Sequence, residues 1–206
     1  MKVYFVRHGS STLTEARHQR PETRLSELGF KQALAVSRRL TNIPVDIILT
    51  STYSRALQTA QVIENHKHAP LIQTDLLIER KMPSEFLGKE IVDPGVVPVH
   101  QAIREHFHDP GWHHTDEENT ADLLSRAGKA LDLIVSQRGE SVVAVTHGYF
   151  LIVLVFSILF DRSTDSRLLQ QFRGHMSASN AGLTLCECVG GKWSLVTWND
   201  YSHLQE

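Results

Sequence analysis

Short apolar runs alternate with amphipathic stretches along most of the chain. The runs are nearly continuous and rich in β-branched residues, a pattern typical of strands buried on both faces of a parallel sheet. They lie at 2–7, 45–50 and 141–147. Helical spacing of apolar residues begins after Ser26, a predicted N-cap, and recurs at 54–65 and at about 119–136. The alternation predicts an α/β fold of three layers, with a mostly parallel sheet flanked by helices.

Two further apolar segments complete this pattern. The stretch 149–160 holds twelve residues that are almost all apolar, which is too short for a bilayer span of about 20 residues and predicts a buried central helix. The segment 182–198 predicts a hairpin that turns at Gly190 and Gly191. Its two cysteines, Cys186 and Cys188, are interpreted as reduced thiols. With the absence of a secretory leader at the start, they favour a cytoplasmic location.

The segment 76–118 is the least regular part of the chain. It contains four prolines and five histidines, and we interpret it as an insertion that covers one edge of the sheet within a single domain, 1–206. Its histidines lack the spacing of metal ligands and no thiolate joins them. A histidine-rich lid is therefore favoured over a metal site.

Composition narrows the class of protein further. The chain has 206 residues, 41% of them apolar, and a formal net charge of -2. A near-neutral chain provides no long-range attraction to nucleic acid or to acidic membranes, so neither is an expected partner. The sequence does not indicate an oligomeric state.

Polar side chains follow the predicted strands at the edge where ligands of α/β folds bind. Arg7, His8 and Gly9 end the first strand, Arg55 opens the helix after the second, and His147 ends a later one. Two arginines and two histidines at one edge predict an anion pocket. A charge pair at about 4 Å is worth about 4 kcal/mol at an effective dielectric of 20, against roughly 0.3–1 kcal/mol for a helix N-terminus, so the arginines would provide most of the binding.

His8 is the predicted nucleophile of this pocket. The neighbouring cationic groups would lower the pKa of His8 and keep its imidazole neutral. A neutral imidazole can attack phosphorus, which predicts a phosphohistidine intermediate. Gly9 is a position where the backbone turns tightly or approaches a ligand closely.

The chain resembles the histidine phosphatase superfamily, which has the phosphoglycerate-mutase-like fold. The resemblance extends over nearly the whole chain, and its motifs occur in the family's order. They are "RHG" at 7–9, "RLSELGFKQA" at 24–33, "SRALQTA" at 54–60, "ENTADLLSRA" at 118–127, "THG" at 146–148, "SNAGLTL" at 179–185 and "WNDYSHL" at 198–204.

This resemblance implies a role for each matching residue. His8 would be the nucleophile, while Arg7, Arg55 and His147 would bind the phosphoryl group. Gly9 and Ser10 would lie in the substrate-binding site. Glu79, in the setting Leu77-Ile78-Glu79, would be the proton donor, with Glu85 as the reserve candidate because "RKMPSEFLG" replaces the family's glycine-rich continuation. No metal ion or other cofactor is implied.

The resemblance leaves three functions to compare. Cofactor-dependent mutases carry Glu after Arg-His-Gly, where this chain has Ser10, so a phosphatase acting on a small phosphate ester is favoured. The alternatives are a phosphoglycerate-mutase-type phosphotransferase and a non-catalytic module that binds phosphorylated ligands. The sequence does not identify the physiological substrate.

Overall fold

The computed structural model describes residues 1–13 and 16–204, and its centre is a six-stranded sheet. In chain order the strands are β1 (Lys2–Arg7), β2 (Ile47–Ser51), β3 (Leu71–Thr74), β4 (Ser141–Thr146), β5 (Leu183–Val189) and β6 (Lys192–Asp200). Their order across the sheet is β3-β2-β4-β1-β5-β6. The strands β1 to β4 run parallel to one another, β5 runs antiparallel to β1, and β6 runs antiparallel to β5. The predicted α/β fold with a mostly parallel sheet is therefore confirmed.

Helices cover both faces of this sheet. They are α1 (Glu27–Arg39), α2 (Ser54–Lys67), α3 (Val97–Glu105), α4 (Thr120–Val135), α5 (Gly148–Leu159) and α6 (Ser166–Gly174). Alternate residues of β1 point to opposite faces, as a strand requires. Val3 and Phe5 pack with α4 and α5, whereas Tyr4 and Val6 pack with α1 and α2. These contacts build the three predicted layers.

The ends of several elements follow the signals in the sequence. Ser26 is the N-cap of α1, and its hydroxyl accepts the N–H of Gly29 at 3.1 Å. The β5–β6 hairpin turns at Gly190 and Gly191, whose φ angles of 57° and 80° lie in the region that glycine tolerates. The strand predicted at 45–50 begins two residues later, at Ile47. The preceding Asp46 carboxylate accepts the backbone N–H groups of Glu140 and Ser141 at the start of β4.

The segment 76–118 contains more regular structure than predicted. It includes α3, which the sequence analysis missed because only Ile103 of its nine residues is buried. Among the described residues, no group of three potential metal ligands occurs. Two of its histidines have other partners, since His106 stacks on Trp112 and His113 lies 2.7 Å from the Asp122 carboxylate.

The apolar segment 149–160 forms α5, and all of its residues from Phe150 to Ile158 are buried. In the described part of the chain, no helix is both long and apolar enough to cross a membrane. Cys186 and Cys188 are free thiols, and burial raises the pKa of Cys186 to about 12.

Candidate active site

Three adjacent strands end at the same edge of the sheet and bring their last residues together. Since β4 lies between β1 and β2, the residues that follow the ends of these three strands are neighbours in space. The rings of His8 and His147 are 5.0 Å apart between centroids, and His147 Nε2 lies 2.8 Å from Ser51 Oγ. The predicted meeting of these segments at one edge is observed.

The hydrogen-bond partners of His8 indicate which of its ring nitrogens carries the proton. Nδ1 lies 2.7 Å from the carbonyl oxygen of Gly9, which can only accept, so we assign the proton to Nδ1. Nε2 then carries the lone pair and accepts a hydrogen bond from Arg55 Nε at 3.1 Å. Burial, followed by the charges of Arg55 and Arg7, lowers the pKa of His8 well below its ordinary value, and the Gly9 bond only partly opposes this. The imidazole is therefore neutral at physiological pH.

Arg55 lies in the first turn of α2 and is only 3% exposed. Its Nη1 donates to the carbonyl of Arg20 at 3.2 Å, and its guanidinium carbon lies 5.3 Å from the centre of the Tyr53 ring. Burial lowers the pKa of Arg55, while the Glu79 carboxylate acts in the opposite direction.

Arg7 reaches the same edge from the end of β1. Its Nη1 donates to the carbonyl of Ala178, and its side chain passes close to the backbone of Gly148. A Cβ at residue 148 would lie 3.1 Å from Arg7 Nε. Glycine at this position therefore allows the guanidinium to lie beside the first turn of α5.

His147 is completely buried at the N-cap of α5. Its Nε2 is bonded to Ser51, whereas Nδ1 is buried and has no hydrogen-bond partner among the described residues. Burial, followed by the charges of Arg55 and neighbouring groups, lowers the pKa of His147 well below its ordinary value. If the Ser51 hydroxyl donates to Nε2, a proton on Nδ1 is available to an oxygen of a bound anion.

Gly9 and Ser10 are held by contacts to α1 and α2. The Gly9 N–H donates to Thr59 Oγ1 at 3.2 Å, and a Cβ at residue 9 would lie 2.4 Å from the carbonyl oxygen of Gly29. The close approach expected for Gly9 is therefore to a helix backbone. The Ser10 carbonyl accepts both the N–H and the hydroxyl of Ser26, and Ser10 Oγ makes no hydrogen bond within the described residues.

The two candidate acids occupy different surroundings. The Glu79 carboxylate accepts the N–H groups of Tyr149 at 3.2 Å, Phe150 at 3.0 Å and Arg80 at 2.9 Å. The carboxylate therefore packs against the first turn of α5, next to His147. Glu85 is 53% exposed and lies 3.3 Å from His114 Nε2. The N–H groups of α5 that could help to bind an anion are thus partly occupied by Glu79.

A buried ion pair that the sequence analysis missed supports the Glu79 segment. Arg126 of α4 makes two hydrogen bonds to the Glu118 carboxylate, at 2.6 and 2.8 Å. It also donates to the carbonyls of Leu76 and Ile78, just before Glu79. The sequence does indicate that Arg126 is buried, because it lies three residues after Leu123 and one before Ala127, on the apolar face of a predicted helix.

A hollow of about 390 Å³ lies elsewhere, and Met1, Arg162, Cys188 and Trp193 contribute to its lining. Met1 precedes β1, so this hollow is at the opposite edge of the sheet from His8. The two cations in its lining already have partners, since Arg162 pairs with Asp132 at 2.6 Å and the Met1 ammonium donates to the carbonyl of Cys188 at 2.9 Å. The group formed by Arg7, His8, Arg55 and His147, rather than this hollow, therefore identifies the candidate site.

Known proteins match the chain over almost its full length. The family model described as the histidine phosphatase superfamily, branch 1, matches residues 3–201. A metal-independent phosphoserine phosphatase of Arabidopsis thaliana is 28% identical, covering 98% of this chain and 83% of its own. A probable phosphoglycerate mutase of Yersinia pestis is 27% identical, covering 99% and 95%. The solved structure of Bacillus stearothermophilus YhfR superposes with a TM-score of 0.84 at 27% identity, covering 99% of each chain.

Proposed function

Since the chain belongs to branch 1 of the histidine phosphatase superfamily, we propose that it hydrolyses small phosphomonoesters through a phosphohistidine on His8. The observation that carries this proposal is the geometry of His8. Its Nδ1 is bonded to the Gly9 carbonyl, and its Nε2 faces Arg55 at the edge where His147 also lies. A neutral nucleophile next to fixed cations suits attack on a phosphate dianion.

In the first step, Nε2 of His8 attacks phosphorus as the bond to the ester oxygen breaks. Arg7 and Arg55, with the Nδ1 proton of His147, balance the charge on the non-bridging oxygens. The Arg55 N–H that donates to His8 in the free protein then donates to one of these oxygens. Glu79 gives a proton to the departing alcohol oxygen.

In the second step, water attacks the phosphohistidine and the bond between phosphorus and Nε2 breaks. Glu79, now a carboxylate, takes the proton of the attacking water, so the cycle ends with inorganic phosphate and the original enzyme. The position of Glu79 on the first turn of α5, compared with the exposed position of Glu85, supports Glu79 in this role. Gly9 and Ser10 shape the loop that follows the nucleophile.

The experiment that tests this function measures phosphate release from a panel of phosphomonoesters. We expect the wild-type protein to release phosphate in the presence of EDTA, and His8→Ala to release none above the uncatalysed rate. The Arabidopsis relative, whose name describes it as metal-independent, motivates the EDTA condition. Equal inertness of both proteins would instead support the binding-module alternative.

A phosphoglycerate-mutase-type reaction remains the second candidate, because the Yersinia relative is named a probable mutase. A mutase would return the phosphoryl group to a bound acceptor. Two results together would favour this reaction over hydrolysis. The phosphoryl group would move between positions of a phosphorylated sugar acid only when a bisphosphorylated primer is present, and phosphate release would be negligible.

A further inference from the structure

Two arginines from different parts of the chain lie against one tyrosine ring near Glu79. The guanidinium carbon of Arg80 is 5.4 Å from the centroid of the Tyr149 ring, and that of Arg173 is 5.2 Å from it. Arg80 directly follows Glu79, Tyr149 is in the first turn of α5, and Arg173 is in the last turn of α6. All three are half-buried. We refer to them as the Arg80–Tyr149–Arg173 cluster.

No acidic side chain in the described part of the chain neutralises this cluster. The Arg173 side chain makes no hydrogen bond or ion pair there, and Arg80 donates only to the carbonyl of Glu118, at 3.3 Å. The carboxylates in the same network are engaged, since Glu118 binds Arg126 and Glu79 accepts three backbone N–H groups.

The cluster also contains buried donors without partners. The Nε atoms of both arginines and the hydroxyl of Tyr149 are buried and lack hydrogen bonds to the described residues. Most buried polar groups in folded proteins are paired, and an unpaired donor beside a positive charge is costly. An anion is the ligand that satisfies such a set, because the planar guanidinium matches the paired oxygens of a carboxylate or phosphate.

The cluster lies on the side of the site from which the alcohol would leave. The carboxyl group of Glu79, which would protonate the ester oxygen, also accepts the backbone N–H of Tyr149 at 3.2 Å. His147, which would hold the phosphoryl group, is two residues earlier in the chain. The alcohol portion of a bound ester would therefore extend past Glu79 towards Arg80 and Tyr149.

We propose that the Arg80–Tyr149–Arg173 cluster binds a second anionic group, carried by the alcohol portion of the substrate. The substrate class is then a phosphate ester whose alcohol bears a carboxylate or a second phosphate. This inference rests on the proposed function, because it uses Glu79 to locate the leaving group.

The test compares kcat/KM for pairs of esters that differ in the second anion. O-phosphoserine is paired with O-phosphoethanolamine, 3-phosphoglycerate with glycerol 3-phosphate, and fructose 1,6-bisphosphate with fructose 6-phosphate. In at least one pair, we expect the wild-type kcat/KM to be about 10-fold or more higher for the ester that carries the second anionic group. Preference in the first two pairs alone identifies a carboxylate, and preference in the third identifies a phosphate.

Variants of the cluster assign any such preference to its residues. Arg173→Gln and Tyr149→Phe should each reduce the ratio of kcat/KM within the preferred pair, about 10-fold for the arginine. Arg167→Gln, an exposed position on the same helix, is the matched control and should keep the wild-type ratio. Equal kcat/KM within every pair, or a ratio that Arg173→Gln does not change, would overturn the proposal.

The outcome remains distinguishable from a failure of the proposed function. If no ester is hydrolysed, calorimetry of the wild-type protein with phosphoserine and with phosphoethanolamine replaces turnover as the readout. Tighter binding of phosphoserine that Arg173→Gln abolishes would support the cluster as an anion site, and equal affinities would reject it. Hydrolysis without any preference would leave the phosphatase intact and reject only the second anion site.

Discussion

At His8, the two ring nitrogens face partners of opposite kinds. The Gly9 carbonyl accepts from Nδ1 at 2.7 Å, and Arg55 donates to Nε2 at 3.1 Å. No acidic side chain is needed to orient this ring, because a carbonyl fixes the tautomer and nearby cations disfavour protonation. The Nδ2 amide of Asn180, which donates to the His8 carbonyl at 3.0 Å, holds the backbone of the same residue.

The acid can be assigned by comparing two carboxylates of the same segment. Glu79→Gln should lower kcat/KM for an alkyl phosphate by about 10²–10⁴-fold, the range typical of general acid–base catalysis. The loss should be smaller for p-nitrophenyl phosphate, whose leaving group needs no proton. Glu85→Gln, at an exposed position beside His114, is the matched control and should resemble the wild type. The reverse order of effects would transfer the role to Glu85.

Among the elements, the loop that follows His8 packs unusually closely against α1. A Cβ at Gly29 would lie 2.0 Å from the carbonyl oxygen of Ser10, and one at Gly9 would lie 2.4 Å from that of Gly29. The two glycines therefore allow two backbones to touch. The carbonyl of Ser10 also accepts the N–H of Ser26, which joins the loop to the start of the helix.

Gly29→Ala should lower the free energy of unfolding by about 1–3 kcal/mol, because the added methyl group must separate these backbones. Gly128→Ala is a matched control in α4, where a Cβ would meet no atom within 4 Å. It should raise the free energy of unfolding by about 0.5–1 kcal/mol, as expected for alanine in a helix. Denaturant titration measures both. Similar effects of the two substitutions would contradict the close contact.

For the molecule as a whole, the sheet topology decided which residues of the candidate site and of the proposed anion site could be predicted. Arg7, His8 and His147 could be found because each ends a strand with a clear apolar pattern, and parallel strands share one ligand-binding edge. Arg173 and Tyr149 could not, since their contact depends on how α6 packs beside α5. The short α3 and the edge strand β3 were missed for a related reason, as neither has a long buried stripe.

The burial of histidines should make stability depend on pH. Burial is the main cause that lowers the pKa of five of them, namely His8, His18, His100, His147 and His203. Below pH 6.5, the ordinary pKa of histidine, the unfolded chain therefore binds more protons than the folded one. The free energy of unfolding then decreases as the pH falls, until the pH reaches the lowered pKa values of the folded protein. Well above the ordinary pKa these groups contribute no dependence.

We therefore expect the free energy of unfolding to decrease between pH 7.5 and pH 5.5, before the carboxylates titrate. The fully buried His8 and His147 can each contribute up to about 1.4 kcal/mol per pH unit. Replacing both by Asn should make the dependence less steep, which guanidinium titrations at several pH values would measure. An unfolding free energy that is constant over this range would contradict the neutral, buried state of these rings.

The most direct measurement of the central claim is the mass of rapidly quenched protein during turnover of p-nitrophenyl phosphate. In Glu79→Gln, where loss of the base should slow hydrolysis of the intermediate, we predict one phosphoryl group that is stable in base, labile in acid and located on His8 by peptide mapping. Turnover with no phosphoryl group on His8, or with one on another residue, would contradict the account.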